Sequence, residues 1–255
     1  MKLQDKVAVV TGAAAGMGKA ISILFAKEGA KLVITDIDKD GLQETKKEIE
    51  ANGGTVTAMI MSVAEKEDTD NMIDTAVKNY GTLDILVNNA GLGEWLLCED
   101  ISDEAWDKVI AVNLTGMMRT IRKALPIFAA KESGVIVNIA SIAGTMASRG
   151  GAAYTASKHG VVGLSKNVGY QYAQKGIRCN SIAPGSVQTT NVTANSKANN
   201  LFSNEGIALV HAGYGLCPRK NLPIEIAKVA LFLACDDSSC VNATCITADS
   251  GWTAY

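Results

Sequence analysis

The stretch Val7-Ala8-Val9-Val10-Thr11-Gly12-Ala13-Ala14-Ala15-Gly16-Met17-Gly18 decides how the chain is read. Four apolar residues end at Thr11, glycines follow at T-G-x-x-x-G-x-G spacing, and a helical pattern starts at Met17. A short apolar run that breaks over glycines into a helix predicts a strand–turn–helix unit. Glycines keep such a turn tight and let its backbone approach a pyrophosphate, which then rests on the helix N-terminus. The same turn also occurs where it only joins a strand to a helix, so the surrounding sequence must decide.

Outward from this unit the pattern recurs. Val7–Val10, Lys31–Thr35, Val56–Ile60, Ile85–Val87, Val135–Ile139, Arg178–Ile182 and Thr244–Thr247 read as strands. Met17–Lys27, Asp40–Ala51, Lys66–Asn79, Asp103–Lys131, Tyr154–Gln174 and Ile224–Cys235 read as helices. Several strands lack a polar face, as expected when both sides of a parallel sheet are covered. The repeats predict an α/β fold, a doubly wound parallel sheet of about seven strands, rather than a barrel. No linker or low-complexity tract interrupts residues 1–255, which read as one domain. Ser186 to Asn204, after Pro184-Gly185, is crowded with Ser, Thr and Asn and reads as a mobile loop. A substrate loop over about 186–217 is expected, since long loops in compact domains are usually lids or binding loops.

Composition excludes several classes. Of 255 residues, 47% are hydrophobic and 20% charged, which suits a globular core. A net charge of −2 supplies no field for nucleic acid or an anionic membrane. No secretory segment is seen, and no apolar run approaches ~20 residues. A cytoplasmic protein with scattered reduced thiols is expected, because Cys98, Cys179, Cys217, Cys235, Cys240 and Cys245 show no metal-like pairing. With only two histidines, no metal site is expected.

Two further features carry chemistry. Asp36 ends the second strand eighteen residues after Gly18. A carboxylate there can accept hydrogen bonds from adenosine ribose hydroxyls, although strand-end aspartates also cap turns. In Tyr154-Thr155-Ala156-Ser157-Lys158 the tyrosine and lysine lie one helical turn apart on one face. A phenol with pKa near ~10 carries protons poorly at neutral pH, and a fixed cation beside it favours the phenolate. A drop of roughly 3 pH units corresponds to about 4 kcal/mol. The plainer alternative is a surface helix with an unrelated Tyr and Lys.

Taken with Asn88-Asn89-Ala90-Gly91 after the fourth strand, Asn113 in a long helix, Ser141 and Pro184-Gly185, these motifs resemble a short-chain dehydrogenase/reductase. They stand in that family's order and spacing over nearly the whole chain. The resemblance implies a Rossmann-type fold and hydride transfer between nicotinamide C4 and a carbon bearing oxygen. It implies Tyr154 as general acid/base, with Lys158 lowering its pKa and holding the nicotinamide ribose. Ser141 would hydrogen-bond the substrate oxygen, and Asn113 would hold a water beyond Lys158. NAD is the expected cofactor, on Gly12, Gly16, Met17, Gly18, Asp36, Ile37, Ser62, Val63, Asn89, Ala90, Gly91, Tyr154, Lys158, Pro184, Gly185, Val187 and Thr189. Asn113 is placed on an inward face with Trp106, Ile110 and Met117.

Three departures stand out. Ser62-Val63 replaces the family's frequent Asp-Val, and Met17 replaces its usual isoleucine. Ala243-Thr244 and Asp249-Ser250-Gly251 replace Gly-rich forms where relatives build subunit contacts. A homotetramer, or at least a dimer, is still expected, with Ala156, Gly160, Gly163, Val161 and Val162 suited to close helix contact.

Trp95, Leu96, Met146, Val187, Leu201, Phe202 and Tyr214 are the expected pocket walls. Together they suggest a bulky cyclic secondary alcohol such as a hydroxysteroid. A second reading is a 3-oxoacyl-[acyl-carrier-protein] reductase, whose acidic carrier would need a basic patch from Arg119, Arg122, Lys123 and Lys175. A third is a nucleotide-binding regulatory protein without turnover, against which an intact Ser141, Tyr154 and Lys158 stands.

Overall fold

Val7–Val10 is apolar throughout because each pleat face meets its own core. Ala8 and Val10 enter one buried cluster, and Val7 and Val9 the other. The computed structural model describes residues 1–147, 149–189 and 198–254. Its strands are β1 (Val7–Thr11), β2 (Lys31–Asp36), β3 (Thr55–Ile60), β4 (Ile85–Asn88), β5 (Gly134–Ile139), β6 (Ile177–Pro184) and β7 (Cys245–Ala248). They form one parallel sheet in the order β3-β2-β1-β4-β5-β6-β7. Helices α1 (Gly16–Lys27), α2 (Lys39–Ala51) and α8 (Pro223–Ala234) fill the first core through Ile21, Phe25, Leu42, Ile49 and Leu233. Helices α3 (Lys66–Tyr80), α5 (Gly116–Ala130) and α6 (Ala152–Tyr172) fill the second through Met72, Ile73, Ile121, Phe128 and Val161.

The chain winds outward from β1 in one direction and from β4 in the other. The crevice at this switch point lies beyond the strands' carboxyl ends, where open α/β sheets bind ligands. A buried polar seam holds the middle of the sheet. Asn88 donates to Asn138 at 2.9 Å, Asn138 donates to Ser165 on α6 at 2.9 Å, and Thr120 on α5 donates to Asn88 at 2.7 Å. Because each amide is satisfied, the seam fixes both helices against the strands that carry the crevice.

The expected helix over 103–131 is broken by a π turn at Ala111–Thr115, between α4 (Asp103–Ile110) and α5. A π turn admits an extra residue, so the inward face moves. Val109, Asn113 and Met117 point inward while Trp106 is 38% exposed, which corrects the face expected for Trp106. The segment 186–217, expected as one loop, contains α7 (Asn204–Ala212) and a 3₁₀ turn at Gly213–Leu216. Ser203 caps α7 by accepting from the Gly206 N–H at 3.0 Å, and Val210 is turned inward. Residues 190–197 of the expected mobile loop lie outside the described residues. No described helix is long and apolar enough to cross a membrane.

Candidate active site

The glycine turn is built by close approach. Gly12 has φ +69°, and a Cβ there would stand 2.8 Å from the Ala90 Cα; a Cβ on Gly18 would stand 2.0 Å from the Gly12 carbonyl oxygen. The Thr11 hydroxyl accepts from the Asn89 and Ala90 N–H groups at 3.0 Å, and the Asn89 amide donates back to the Thr11 and Gly12 carbonyls at 3.0 Å. Gly16, at φ +56°, brings the turn against Thr189 from the loop after β6. Helix α1 begins with no side-chain cap and no acid in its first turn, leaving its N–H groups to an anion.

Asp36 closes the cradle. Its carboxylate accepts from the Ala14 N–H at 2.9 Å and the Asp38 N–H at 3.0 Å. Asn89 Oδ1 is buried without a hydrogen-bond partner, an acceptor suited to a ribose hydroxyl. The residues therefore fit a dinucleotide. Ser62 behaves as a turn former whose hydroxyl accepts from the Ala64 N–H at 3.2 Å, while Asp68 accepts from the Ser62 N–H at 2.9 Å. The acid missing at position 62 thus approaches that turn from α3.

Ser141 caps a short turn after β5, accepting from the Ala143 N–H at 3.1 Å, and lines the same cavity as the Tyr154 phenol. Lys158 is buried, donates to the Ile139 carbonyl at 2.9 Å, and sits 5.7 Å from the centre of the Tyr154 ring. Burial lowers the Lys158 pKa to about 8. The same burial raises the Tyr154 pKa, and Ser141 offsets this only in part. The expected lowering of Tyr154 by Lys158 is not what is seen: desolvation of the phenolate is the largest influence on its pKa and raises it. Asn113 Oδ1 accepts from the Leu92 N–H at 2.7 Å, and its Nδ2 donates to the Leu92 carbonyl at 2.9 Å and to Ser157 at 3.2 Å. The side-chain amide ties the π turn to the loop after β4 and to α6.

Lys158 gives the first testable consequence. Its pKa of about 8 lies below the free value of 10.5, so the unfolded chain binds more protons between those values and stability rises with pH across them. Below pH 8 the buried charge costs about 3 kcal/mol. Lys158→Met removes that cost and orphans the Ile139 carbonyl, at about 1–2 kcal/mol. The cofactor-free variant should melt a few degrees above wild type at pH 7 and lose the advantage near pH 10, by calorimetry. A lower melting point at pH 7 would count against this.

Glu94 went unseen in sequence. It is fully buried, and its carboxylate accepts from the N–H groups of Leu96 at 2.5 Å and Tyr154 at 3.2 Å. Helix α6 starts on Gly151 without a side-chain cap of its own, so a carboxylate distant in sequence serves its first turn. Only the fold brings the two together. Glu94→Ala should lose about 2–3 kcal/mol and melt several degrees lower, with Glu94→Gln intermediate. Equal melting of all three proteins would exclude this capping role.

A cavity of about 510 Å³ opens beside Ser141 and Tyr154, and Met17, Pro184, Gly185, Val187 and Thr189 reach it from the cofactor side. Of the other expected walls, Trp95 and Tyr214 line it. Leu96, Met146, Leu201 and Phe202 do not: Leu201 is buried beneath with Leu92, Val109 and Ala153, and Phe202 bridges to Trp95. The sequence reading missed Arg149, Val210, His211, Lys220 and Trp252, which also line it. All six cysteines are free. No group of three or more potential metal ligands occurs among the described residues.

Comparison with known proteins agrees with this geometry. Residues 6–200 match the short chain dehydrogenase family. The chain is 40% identical to 3beta-hydroxysteroid dehydrogenase 2 of Eggerthella lenta, over 99% of this chain and 96% of that one. It is 36% identical to a 3-oxoacyl-[acyl-carrier-protein] reductase of Thermotoga maritima, over 98% of this chain and 99% of that one. A solved short chain dehydrogenase from Mycobacterium paratuberculosis bound to NAD superposes with a TM-score of 0.89 at 32% identity, covering 100% of both chains.

Proposed function

We propose, for a chain that belongs to the short-chain dehydrogenase family, that it is an NAD-dependent oxidoreductase interconverting a bulky cyclic secondary alcohol, of hydroxysteroid type, and its ketone. One observation carries this reading: the Ser141 hydroxyl and Tyr154 phenol line one roomy cavity, with buried Lys158 5.7 Å from the centre of the Tyr154 ring. A bound nicotinamide supplies or accepts the hydride. Ser141 holds the substrate oxygen, and Tyr154 gives it a proton in reduction and removes one in oxidation. Lys158 orients the ribose, and Asn113 and Glu94 fix the two elements that bear the site. A panel of secondary alcohols with NAD and with NADP, followed by nicotinamide absorbance, tests it. No turnover of any cyclic alcohol would refute it.

The carrier-protein reductase reading, for which a relative exists, is less well supported. Of its expected basic patch, Arg119 donates to the Ala64 carbonyl at 2.5 Å and Lys123 pairs with Asp74 at 2.8 Å. A cytoplasmic homotetramer, or a dimer, remains our expectation. On α6, Ala156 and Gly163 lie on an open face, whereas Gly160 faces Leu114 and Val161 and Val162 pack inside. Light scattering at micromolar concentration should give a multiple of the chain mass; a monomer would exclude it.

A further inference from the structure

The cavity has two unlike walls. Trp95, Ile142, Val187 and Val210 give it apolar surface, as a ring system requires. The other wall is a stack of aromatic and cationic groups. The Arg149 guanidinium lies 4.6 Å over the Trp252 ring, Trp252 lies 5.0 Å from Tyr214, and Tyr214 meets His211 edge-on at 4.9 Å. The stack is anchored, because the Trp252 indole is 2% exposed and donates to the Gly213 carbonyl at 3.1 Å.

Lys220 reaches the same cavity from a fixed segment. The backbone N–H of its neighbour Asn221 donates to the Ser186 carbonyl at 2.7 Å, and the Asn221 carbonyl accepts from the Gln188 N–H at 2.9 Å. The Asn221 side-chain amide donates to the Ala248 carbonyl at 3.0 Å. Lys220 has no ion-pair partner among the described residues. The described lining thus holds two cations and a histidine, and no carboxylate. This wall offers positive charge that a neutral hydrocarbon alcohol does not use.

We propose that the substrate carries an anionic group on its apolar body, held by Arg149 and Lys220 while the alcohol carbon faces Ser141 and Tyr154. The proposal rests on the dehydrogenase reading and narrows its substrate class to an amphipathic alcohol bearing a carboxylate. The Arg149 guanidinium supplies a positive charge held over the Trp252 ring, towards which a carboxylate is drawn. Lys220, at the exposed rim, adds a less directional charge.

The test reads binding rather than turnover, so it stands apart from the assay of the dehydrogenase reading. The probes are a hydroxycholanoate and its methyl ester, which share one ring system and differ in charge. Titrations in the presence of NADH, which cannot accept a hydride from the alcohol probes, follow the fluorescence of Trp95 and Trp252 in the cavity wall. The acid should bind about 10-fold more tightly than the ester, or about 1.4 kcal/mol. This ratio should fall as salt is added and move towards 1 in Arg149→Met and in Lys220→Gln. Lys220 is exposed, so its variant tests the idea without a risk to folding. Equal binding of acid and ester in wild type, or a ratio unchanged in both variants, would overturn the proposal. Tighter binding of a phosphopantetheine thioester than of the acid would also overturn it, by assigning the cations to a carrier's phosphate. Acid-selective binding without hydride transfer would uphold the anion site and refute the dehydrogenase reading.

Discussion

Tyr154→Phe is expected to bind cofactor about as well as wild type and to lose about 10²–10⁴-fold in kcat. The substitution removes one oxygen and keeps the ring that lines the cavity. Ser141 stays in place, its hydroxyl still accepting from the Ala143 N–H. The substrate oxygen then has a hydrogen-bonding partner but no group to exchange a proton with. Fluorescence titration of cofactor and steady-state kinetics on one preparation separate the two effects. A wild-type rate in the variant would remove Tyr154 from the chemistry.

The direction of the Tyr154 pKa adds a pH dependence. Burial holds the phenol protonated across neutral pH, the form that donates to an oxygen in ketone reduction. Alcohol oxidation needs the phenolate, whose fraction grows as pH rises towards the raised pKa. Oxidation should therefore speed up from pH 7 towards pH 10 while reduction does not, and Tyr154→Phe should abolish the difference. The lysine bears on both directions. With its pKa at about 8, it is mostly charged at pH 7, and a cofactor that adds acceptors around it would favour the charged form further.

What the sequence revealed and what it hid follow from the range of the interactions. The glycine turn, Asp36 and the Tyr154–Lys158 spacing are local patterns, so strand ends and helix starts could be placed within a few residues. The polar seam from Asn88 through Asn138 to Ser165 joins residues up to 50 positions apart, and no local pattern betrays it. Glu94 is similar: its acceptors are used by the first turn of a helix 60 residues on. The π turn at Ala111–Thr115 moved Trp106 outward because a helical projection assumes a constant residue count per turn. Pocket walls were the least legible. Leu201 and Phe202 are apolar neighbours in sequence of a cavity they support from behind, whereas Arg149, Lys220 and Trp252 arrive from three separate segments.

A strong preference for NAD over NADP is the other large effect expected, and Asp36 is its cause. The added 2′-phosphate of NADP would meet a carboxylate that cannot swing away, because both its oxygens accept backbone N–H groups, from Ala14 at 2.9 Å and Asp38 at 3.0 Å. Two like charges about 4 Å apart repel by roughly 1 kcal/mol in bulk water and about 4 kcal/mol at a partly shielded site. That range corresponds to about 5-fold to nearly 1,000-fold discrimination. The half-buried, pinned carboxylate favours the upper part of the range. Asp38 adds a second negative charge at the start of α2, where it accepts from the Gly41 N–H at 3.2 Å. No cation answers them from the two nearest positions, since Ala15 stands in the glycine turn and Ile37, 62% exposed, follows Asp36. Replacing Asp36→Ala together with Ile37→Arg removes the repulsion and supplies a guanidinium for the phosphate. The measured ratio of kcat/KM for the two cofactors should then move towards NADP by at least the wild-type discrimination. Equal efficiency of wild type with both cofactors, or an unmoved ratio in the double variant, would show that this carboxylate does not set the choice.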